Sequence, residues 1–551
     1  MTRRESVGQL RLNPVDMASF SVAPGPSSEK MRGGYYTPAP IAEFLASWVR
    51  QAGNRLLEPS CGDGAILQAL SRRPAEAVGI EIEPEEARKA ADACHRAEII
   101  QSDFFDWFTR EQWGAWDGTA GNPPFIRFGN WSGPTREVAF DIMRQVGMRP
   151  TKLTNAWVPF IVASCLAVRP EGRLALVVPA ELLQVTYAAE LRAFLIDKFR
   201  ELTVVTFRRL VFDGILQEVV LLLGTRGEGP AQVRVVELTD MDSLPQPEDL
   251  ASLPHAPALR HDTEKWTKYF LEPSSIEALR FVRERGGYQR LGEIADVDVG
   301  IVTGRNRFFV LRPSTATDCG IERHLSPLVS KSAHLQGVCF EEKDLSNLQA
   351  SDALCALLAL PNSTTPDEPL ADYIAAGEEA GVDQGYKCSI RKQWWVVPSV
   401  WTPDAFLLRQ IYDHPRIIAN LTGATSTDTI HRVRMLNGLS PAKLAAASVN
   451  SLTFAFSEVM GRSYGGGVLE LEPREAEALP FPDAGKLSMR DVRRIDGLLR
   501  RGALIEAVNF TDGKLLSELD PDLVLELRRI WERLRDRRLE RGRKPAQKKA
   551  A

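Results

Sequence analysis

Leu56-Leu57-Glu58-Pro59-Ser60-Cys61-Gly62-Asp63-Gly64-Ala65-Ile66-Leu67 is the stretch on which the fold turns. It places a carboxylate and two glycines at the carboxyl end of a short apolar strand, just where a helix opens. Small residues at that junction let the backbone approach a ligand closely. Outward from it, strand-like and helix-like segments alternate: Arg55 to Leu57 then Ile66 to Leu70, Ala77 to Ile80 then Pro84 to His95, then Glu98 to Ile100. The alternation resumes with a helix around Ala156 to Val168, a strand at Leu174 to Val178, and a helix around Ala188 to Phe199. Strands near Thr203 to Phe207 and Glu218 to Leu223 are expected to pair as an antiparallel hairpin at the sheet edge. Such alternation predicts an α/β fold with a doubly wound, Rossmann-like parallel sheet.

The length of 551 residues exceeds what one hydrophobic core usually organises, so a second domain is expected. Residues 1–33 lack periodicity and read as a flexible arm. Residues 34–245 carry the alternating pattern, and the Pro-rich, acidic 246–264 reads as a linker. In 265–485 the alternation stops, and short strands, aromatic residues and Gly-rich loops predict an irregular α+β domain. Residues 486–551 read as a helical, basic tail; from 487 onward 17 basic side chains stand against 11 acidic ones. The formal net charge of −4 neither suggests nor excludes a polyanionic partner, because nucleic-acid binding needs a local basic surface. Seven scattered cysteines without a Cys-x-x-Cys pair predict a reduced, cytoplasmic protein with no metal. The apolar runs are of strand length, so no membrane association is expected.

Three acids follow three successive strands. Glu58 belongs to the glycine turn; Glu81, 17 residues past Gly64, can accept hydrogen bonds from both hydroxyls of a ribose. Asp103 can accept from an adenine amino group or can cap the helix starting near Phe104. No phosphate-gripping lysine follows the turn, so the bound nucleoside need not carry phosphates. The fourth strand position leads into Gly121-Asn122-Pro123-Pro124-Phe125. An exocyclic aromatic amine is a poor nucleophile until its N–H groups are held by acceptors outside the ring plane. Asn122 can supply a side-chain carbonyl, Pro123 a backbone carbonyl, and Pro123 and Pro124 a rigid turn. Phe125 offers a face for a planar base. Alternatively, the segment is a turn followed by a core phenylalanine.

At these residues the chain resembles the amino-methylating DNA methyltransferases, in particular the N6-adenine enzymes of restriction-modification systems. The order is Gly34-Tyr35-Tyr36-Thr37-Pro38, Glu58 to Gly64, Gly79-Ile80-Glu81-Ile82-Glu83-Pro84, Ser102-Asp103-Phe104, then Asn122 to Phe125. The resemblance implies S-adenosylmethionine as cofactor, held by Tyr36, Thr37, Glu58, Ser60, Gly62, Gly64, Glu81, Ile82, Asp103 and Phe104. Thr37 and the Glu58 to Gly64 loop would hold the methionine portion, Glu81 the ribose and Asp103 the adenine. It implies Asn122, Pro123, Pro124 and Phe125 as the transfer site, with Phe212 either a second aromatic contact to the target base or a buried core residue. Double-stranded DNA is the implied substrate, read by the 265–485 domain, with a separate cognate restriction endonuclease as the counterpart. One departure is Gly118-Thr119-Ala120, where that family has aliphatic strand residues.

The loops Thr303 to Arg307 and Arg462 to Gly467 are candidates for reading DNA and are also hairpin connections. The basic run Arg528 to Lys549 reads either as phosphate contacts or as a solvated helix face. The enzyme alternatives are an RNA amino-methyltransferase or a release-factor glutamine methyltransferase, which also use Asn-Pro-Pro-Tyr/Phe. A DNA-specificity protein with a vestigial cofactor site is a further alternative.

Overall fold

Strand length and burial of the alternating region decide how it is layered. The computed structural model describes residues 36–542 apart from 74, 213–217, 230, 262 and 437. The expected arm 1–33, Asp213 and residues 543–549 of the basic run lie outside the described residues. Eight strands, β1 (Arg55–Glu58), β2 (Glu76–Glu81), β3 (Ala97–Gln101), β4 (Trp116–Gly121), β5 (Val168–Pro179), β6 (Phe199–Phe207), β7 (Val219–Arg226) and β8 (Gln232–Leu238), form one sheet. Their order is β3-β2-β1-β4-β5-β7-β6-β8. The neighbours from β3 to β5 run parallel, whereas β7 is antiparallel to both β5 and β6. This is an α/β fold whose parallel half is wound as expected.

Two details differ from the sequence expectation. The antiparallel pair β6 and β7 is not at the sheet edge: β7 inserts between β5 and β6, and β8, parallel to β6, forms the edge. The burial of β7 explains this, since Val219 to Thr225 are buried throughout, as suits a strand covered on both faces. The Gly118-Thr119-Ala120 departure is also accounted for. These residues form β4, and a Cβ on Gly118 would sit 2.8 Å from Val49 Cβ of helix α1 (Ala39–Arg50), so the close helix excludes an aliphatic side chain.

The remaining helices of this region are α2 (Ala65–Leu70), α3 (Pro84–Ala93), α4 (Phe104–Trp107), α5 (Gly133–Gln145), α6 (Trp157–Ala167), α7 (Glu181–Gln184) and α8 (Ala189–Lys198). All residues of α6 are buried, which matches its lack of a polar face. The Pro-rich 246–264 segment, expected as a linker, packs instead: Pro247 and Leu250 are buried, and the Arg234 guanidinium donates to the carbonyls of Ala251 (3.3 Å) and Leu253 (3.1 Å). Leu250 and Leu259, both buried, supply the apolar anchors that a solvated linker lacks.

The described residues divide into two compact units. The first runs to Glu277 and also takes Arg462–Leu469 and residues 532–542; the second comprises Ala278–Gly461 and Glu470–Trp531. The second unit contains a five-stranded mixed sheet and an aromatic core around Phe308, Phe309, Tyr373 and Trp394, an α+β arrangement. Toward its end lie α9 (Met489–Arg500) and α10 (Leu504–Leu515); the last helix, α11 (Pro521–Gly542), divides between the units.

The final turns of α11 are not a solvated face. Arg538 is 1% exposed and donates to the Gly467 carbonyl. Arg541 pairs with Glu218 and donates to Ser463 Oγ at 2.7 Å. The Arg537 guanidinium pairs with Glu237 and lies 3.4 Å from the Phe270 ring centroid, and burial lowers its pKa to about 10. The Arg462 to Gly467 loop is fixed in the same cluster, with Ser463 hydrogen-bonded through its backbone to the Gln184 amide. Ser463 and the Gly467 carbonyl therefore serve packing within the first unit. No described helix is long and apolar enough to cross a membrane.

Candidate active site

The carboxyl ends of β1, β2, β3 and β4 open on one cavity of about 780 Å³. Its walls include Tyr36, Thr37, Glu58, Ser60, Gly62, Glu81, Ile82, Asp103, Phe104, Asn122, Pro124 and Phe212. Twelve of the residues expected from sequence are thus brought to one place. Pro123, Phe125 and Gly64 do not line it. Phe125 is half-buried against the apolar core that includes Val211 and Phe212. Gly64, at φ 88°, faces the protein interior: a Cβ there would meet Cys94 Sγ at 2.8 Å and Ala90 Cα at 3.1 Å. Gly62, at φ 53°, is different, because a Cβ there would meet nothing within 4 Å. Of the two glycines, Gly62 is the one whose bare backbone faces the cavity.

Glu58 is 2% exposed, and its Oε2 has no hydrogen-bond partner among the described residues. Burial, reinforced by the charges of Asp63 and Glu81, pushes its carboxyl well above the usual carboxylate range. A buried carboxylate without a partner is costly, and a cationic group in the cavity would offset that cost. Glu81 accepts from the backbone N–H groups of Gly62 (2.8 Å) and Glu83 (2.9 Å), which tie the glycine turn to the end of β2. Glu81 lines the cavity beside this turn. Burial also raises the Glu81 carboxyl above its ordinary value.

Asp103 caps α4 by accepting from Phe105 N at 2.8 Å, so the capping reading is realised. Its carboxylate also takes a hydrogen bond from Thr135 and lines the cavity, so capping does not remove it from the site. Asn122 Nδ2 donates to Thr37 Oγ1 (3.2 Å), and Ser60 Oγ donates to the Asn122 backbone carbonyl (3.4 Å). Thr37 therefore orients the Asn122 amide through its nitrogen. Cys61 is buried, and burial pushes its thiol far up, which leaves it inert as a nucleophile.

One wall was missed from sequence. Trp131, Ser132 and Thr135 at the start of α5, with Phe160 of α6, face the cavity beside Asp103. Phe160 stacks on Phe104 with ring centroids 5.2 Å apart, and Trp131 lies 5.8 Å from Phe105. Arg136 fixes Trp131 by donating to the Phe128 (3.2 Å) and Trp131 (3.3 Å) carbonyls while lying 4.1 Å over the Phe128 ring. The available signal was the dense aromatic spacing of Phe125, Phe128 and Trp131 before a Ser-Gly-Pro helix start.

Residues 23–246 match the N-6 DNA Methylase family, and residues 263–516 match the C-terminal domain of Type II methyltransferase M.Eco57I. Residues 23–246 are thus an N-6 DNA methylase domain. Among related methylases, Type II methyltransferase M.AccI of Acinetobacter calcoaceticus is 22% identical over 88% of this chain and 92% of its own length. Type II methyltransferase M.XamI of Xanthomonas campestris pv. amaranthicola is 24% identical over 83% of this chain and 86% of its own. Both relatives are Type II methyltransferases. In fold it is similar to the Type IIL restriction-modification enzyme MmeI, solved in complex with DNA, with a TM-score of 0.55, 10% identity, and coverage of 91% of this chain and 75% of that one.

Proposed function

We propose that this methylase transfers a methyl group from S-adenosylmethionine to the N6 amino group of an adenine rotated out of duplex DNA. The observation that carries the reading is the convergence of Glu58, Glu81, Asp103 and Asn122 on one cavity. Bound there, S-adenosylmethionine supplies a sulfonium methyl as electrophile. Glu58 fits its ammonium group, since the buried Oε2 lacks a protein partner among the described residues. Gly62 allows close approach, Glu81 accepts from ribose hydroxyls, and Asp103 accepts from the cofactor's adenine amino group between Trp131 and the Phe104–Phe160 stack.

Asn122 Oδ1 and the backbone carbonyl of Pro123 then accept the two N–H groups of the target amine, which draws its lone pair out of conjugation. Transfer needs positioning rather than a covalent nucleophile. A duplex adenine reaches Asn122 only when unstacked, at a cost of a few kcal/mol. Phe212, which lines the cavity, supplies the aromatic face that offsets part of that cost, while Phe125 supports the turn from the core. The product protects DNA from a cognate endonuclease on another chain, in the cytoplasm. The family match favours DNA over the RNA and release-factor alternatives.

Methyl transfer assayed in parallel on duplex DNA, ribosomal RNA and release factor separates these substrates. DNA is expected to be the acceptor, and Asn122→Ala is expected to abolish transfer while S-adenosylmethionine and DNA still bind. Near wild-type transfer by that variant would remove Asn122 from the mechanism.

A further inference from the structure

Helix α9 of the second unit is rotated so that its two faces have different roles. Val492, Ile495 and Leu498 are buried. Asp496 accepts from the backbone N–H groups of Val338 (2.9 Å) and Cys339 (3.1 Å), and Arg500 forms ion pairs with Asp344 (2.8 Å) and Asp496 (2.7 Å). The Ser488 cap, with Asp491, fixes the amino-terminal end. These contacts set the rotation of the helix about its axis.

At 100° per residue, Arg490, Arg493, Arg494, Gly497 and Arg501 then fall on the opposite face. All four arginines are exposed, and none forms an ion pair among the described residues. Arg494 lies 4.2 Å over the Phe510 ring, which holds its guanidinium in place without neutralising it. The flanking acid, Asp491, is engaged by Ser488 and lies 3.8 Å from Lys514. In the middle of this stripe is Gly497, whose added Cβ would meet only Arg501 Nη1 at 3.6 Å. Packing within the fold does not require glycine there, yet a mid-helix glycine weakens a helix. A bare backbone amid unpaired arginines suits close approach by a surface dense in negative charge.

We propose that this face of α9 lies along the phosphate backbone of the duplex DNA substrate, a sequence-independent contact that orients the DNA. The proposal rests on the reading of duplex DNA as substrate. The stripe spans ~16 Å at 1.5 Å per residue. Each strand of DNA presents a charge every ~3.4 Å of axis, so the stripe matches several phosphates. It also accounts for the basic excess of the carboxyl-terminal region. Arg528, Arg533, Arg537, Arg538 and Arg541 are paired within their own units, whereas Arg490, Arg493, Arg494 and Arg501 form no ion pair among the described residues.

The test is fluorescence anisotropy of a labelled duplex with the full chain, titrated across roughly 50 to 200 mM KCl. The triple variant Arg490→Gln, Arg493→Gln, Arg501→Gln, whose side chains make no described ion pairs, should bind DNA with a slope of log affinity against log salt shallower by about 2 to 3. Its S-adenosylmethionine affinity should not change. Gly497→Gln should raise the melting temperature and lower DNA affinity several-fold, a combination that a purely structural glycine would not give. A wild-type slope in the triple variant, or unchanged DNA affinity in Gly497→Gln, would overturn the proposal while leaving the methylase reading intact. Failure of the wild-type chain to bind duplex DNA, or preferential binding of an RNA duplex, would overturn both.

Discussion

Glu58→Gln should stabilise the ligand-free protein and weaken its hold on S-adenosylmethionine. The carboxylate is 2% exposed, one oxygen has no partner among the described residues, and burial raises its pKa well above the usual range. An acid whose folded pKa lies above its unfolded value binds its proton more tightly when folded. Stability is therefore lost as pH rises from the unfolded value, near 4.5, toward the raised folded one. Glutamine cannot ionise, so the variant's melting temperature should exceed wild type at pH 8, with the difference vanishing toward pH 4. Cofactor binding should move oppositely. A hydrogen bond between charged groups contributes about 1.5–3 kcal/mol, which at about 1.4 kcal/mol per tenfold corresponds to ~10- to 100-fold weaker binding. Calorimetric titration at increasing pH should show wild-type affinity rising as Glu58 ionises and the variant staying flat. Cofactor affinity within twofold of wild type, together with a flat wild-type profile, would refute the pairing of Glu58 with the ammonium group.

Thr37→Val removes the hydroxyl that accepts from Asn122 Nδ2; the misaligned amide should lower kcat about tenfold, the equivalent of one hydrogen bond, with little change in cofactor affinity measured by calorimetry. Gly62→Ala and Gly64→Ala should separate ligand from fold: the first weakens cofactor binding with modest loss of melting temperature, whereas the second, 2.8 Å from Cys94 Sγ, costs about 1–3 kcal/mol in denaturant unfolding. Arg541→Ala strands the buried Glu218 carboxylate and should destabilise the first unit by about 3–5 kcal/mol, partly restored by Glu218→Gln in the same chain.

Much of the parallel half of the sheet was legible because strand ends carry chemistry. Glu58, Glu81 and Asp103 follow three consecutive apolar runs, and a doubly wound sheet brings such ends to one crevice. Strand order beyond β5 was not legible, because period and length do not say which neighbour a strand takes. Only the continuous burial of Val219 to Thr225 places β7 inside the sheet. The same limit applies to charge. Arg537, Arg538 and Arg541 look like a solvated run in the sequence, and their carboxylate and carbonyl partners lie some 70 to 320 residues away. Trp131 and Thr135 were missed because their role depends on Arg136 fixing the turn before α5. Phe125, which its position after Asn-Pro-Pro offers as a stacking face, is half-buried and packs beside the apolar core that includes Phe212.

The central claim is the atom that receives the methyl group. Duplex DNA incubated with the full chain and trideuteromethyl-labelled S-adenosylmethionine, digested to nucleosides and analysed by mass spectrometry, should carry the label in N6-methyldeoxyadenosine. Label in N4-methyldeoxycytidine, or none in DNA while RNA or release factor is labelled, would contradict it.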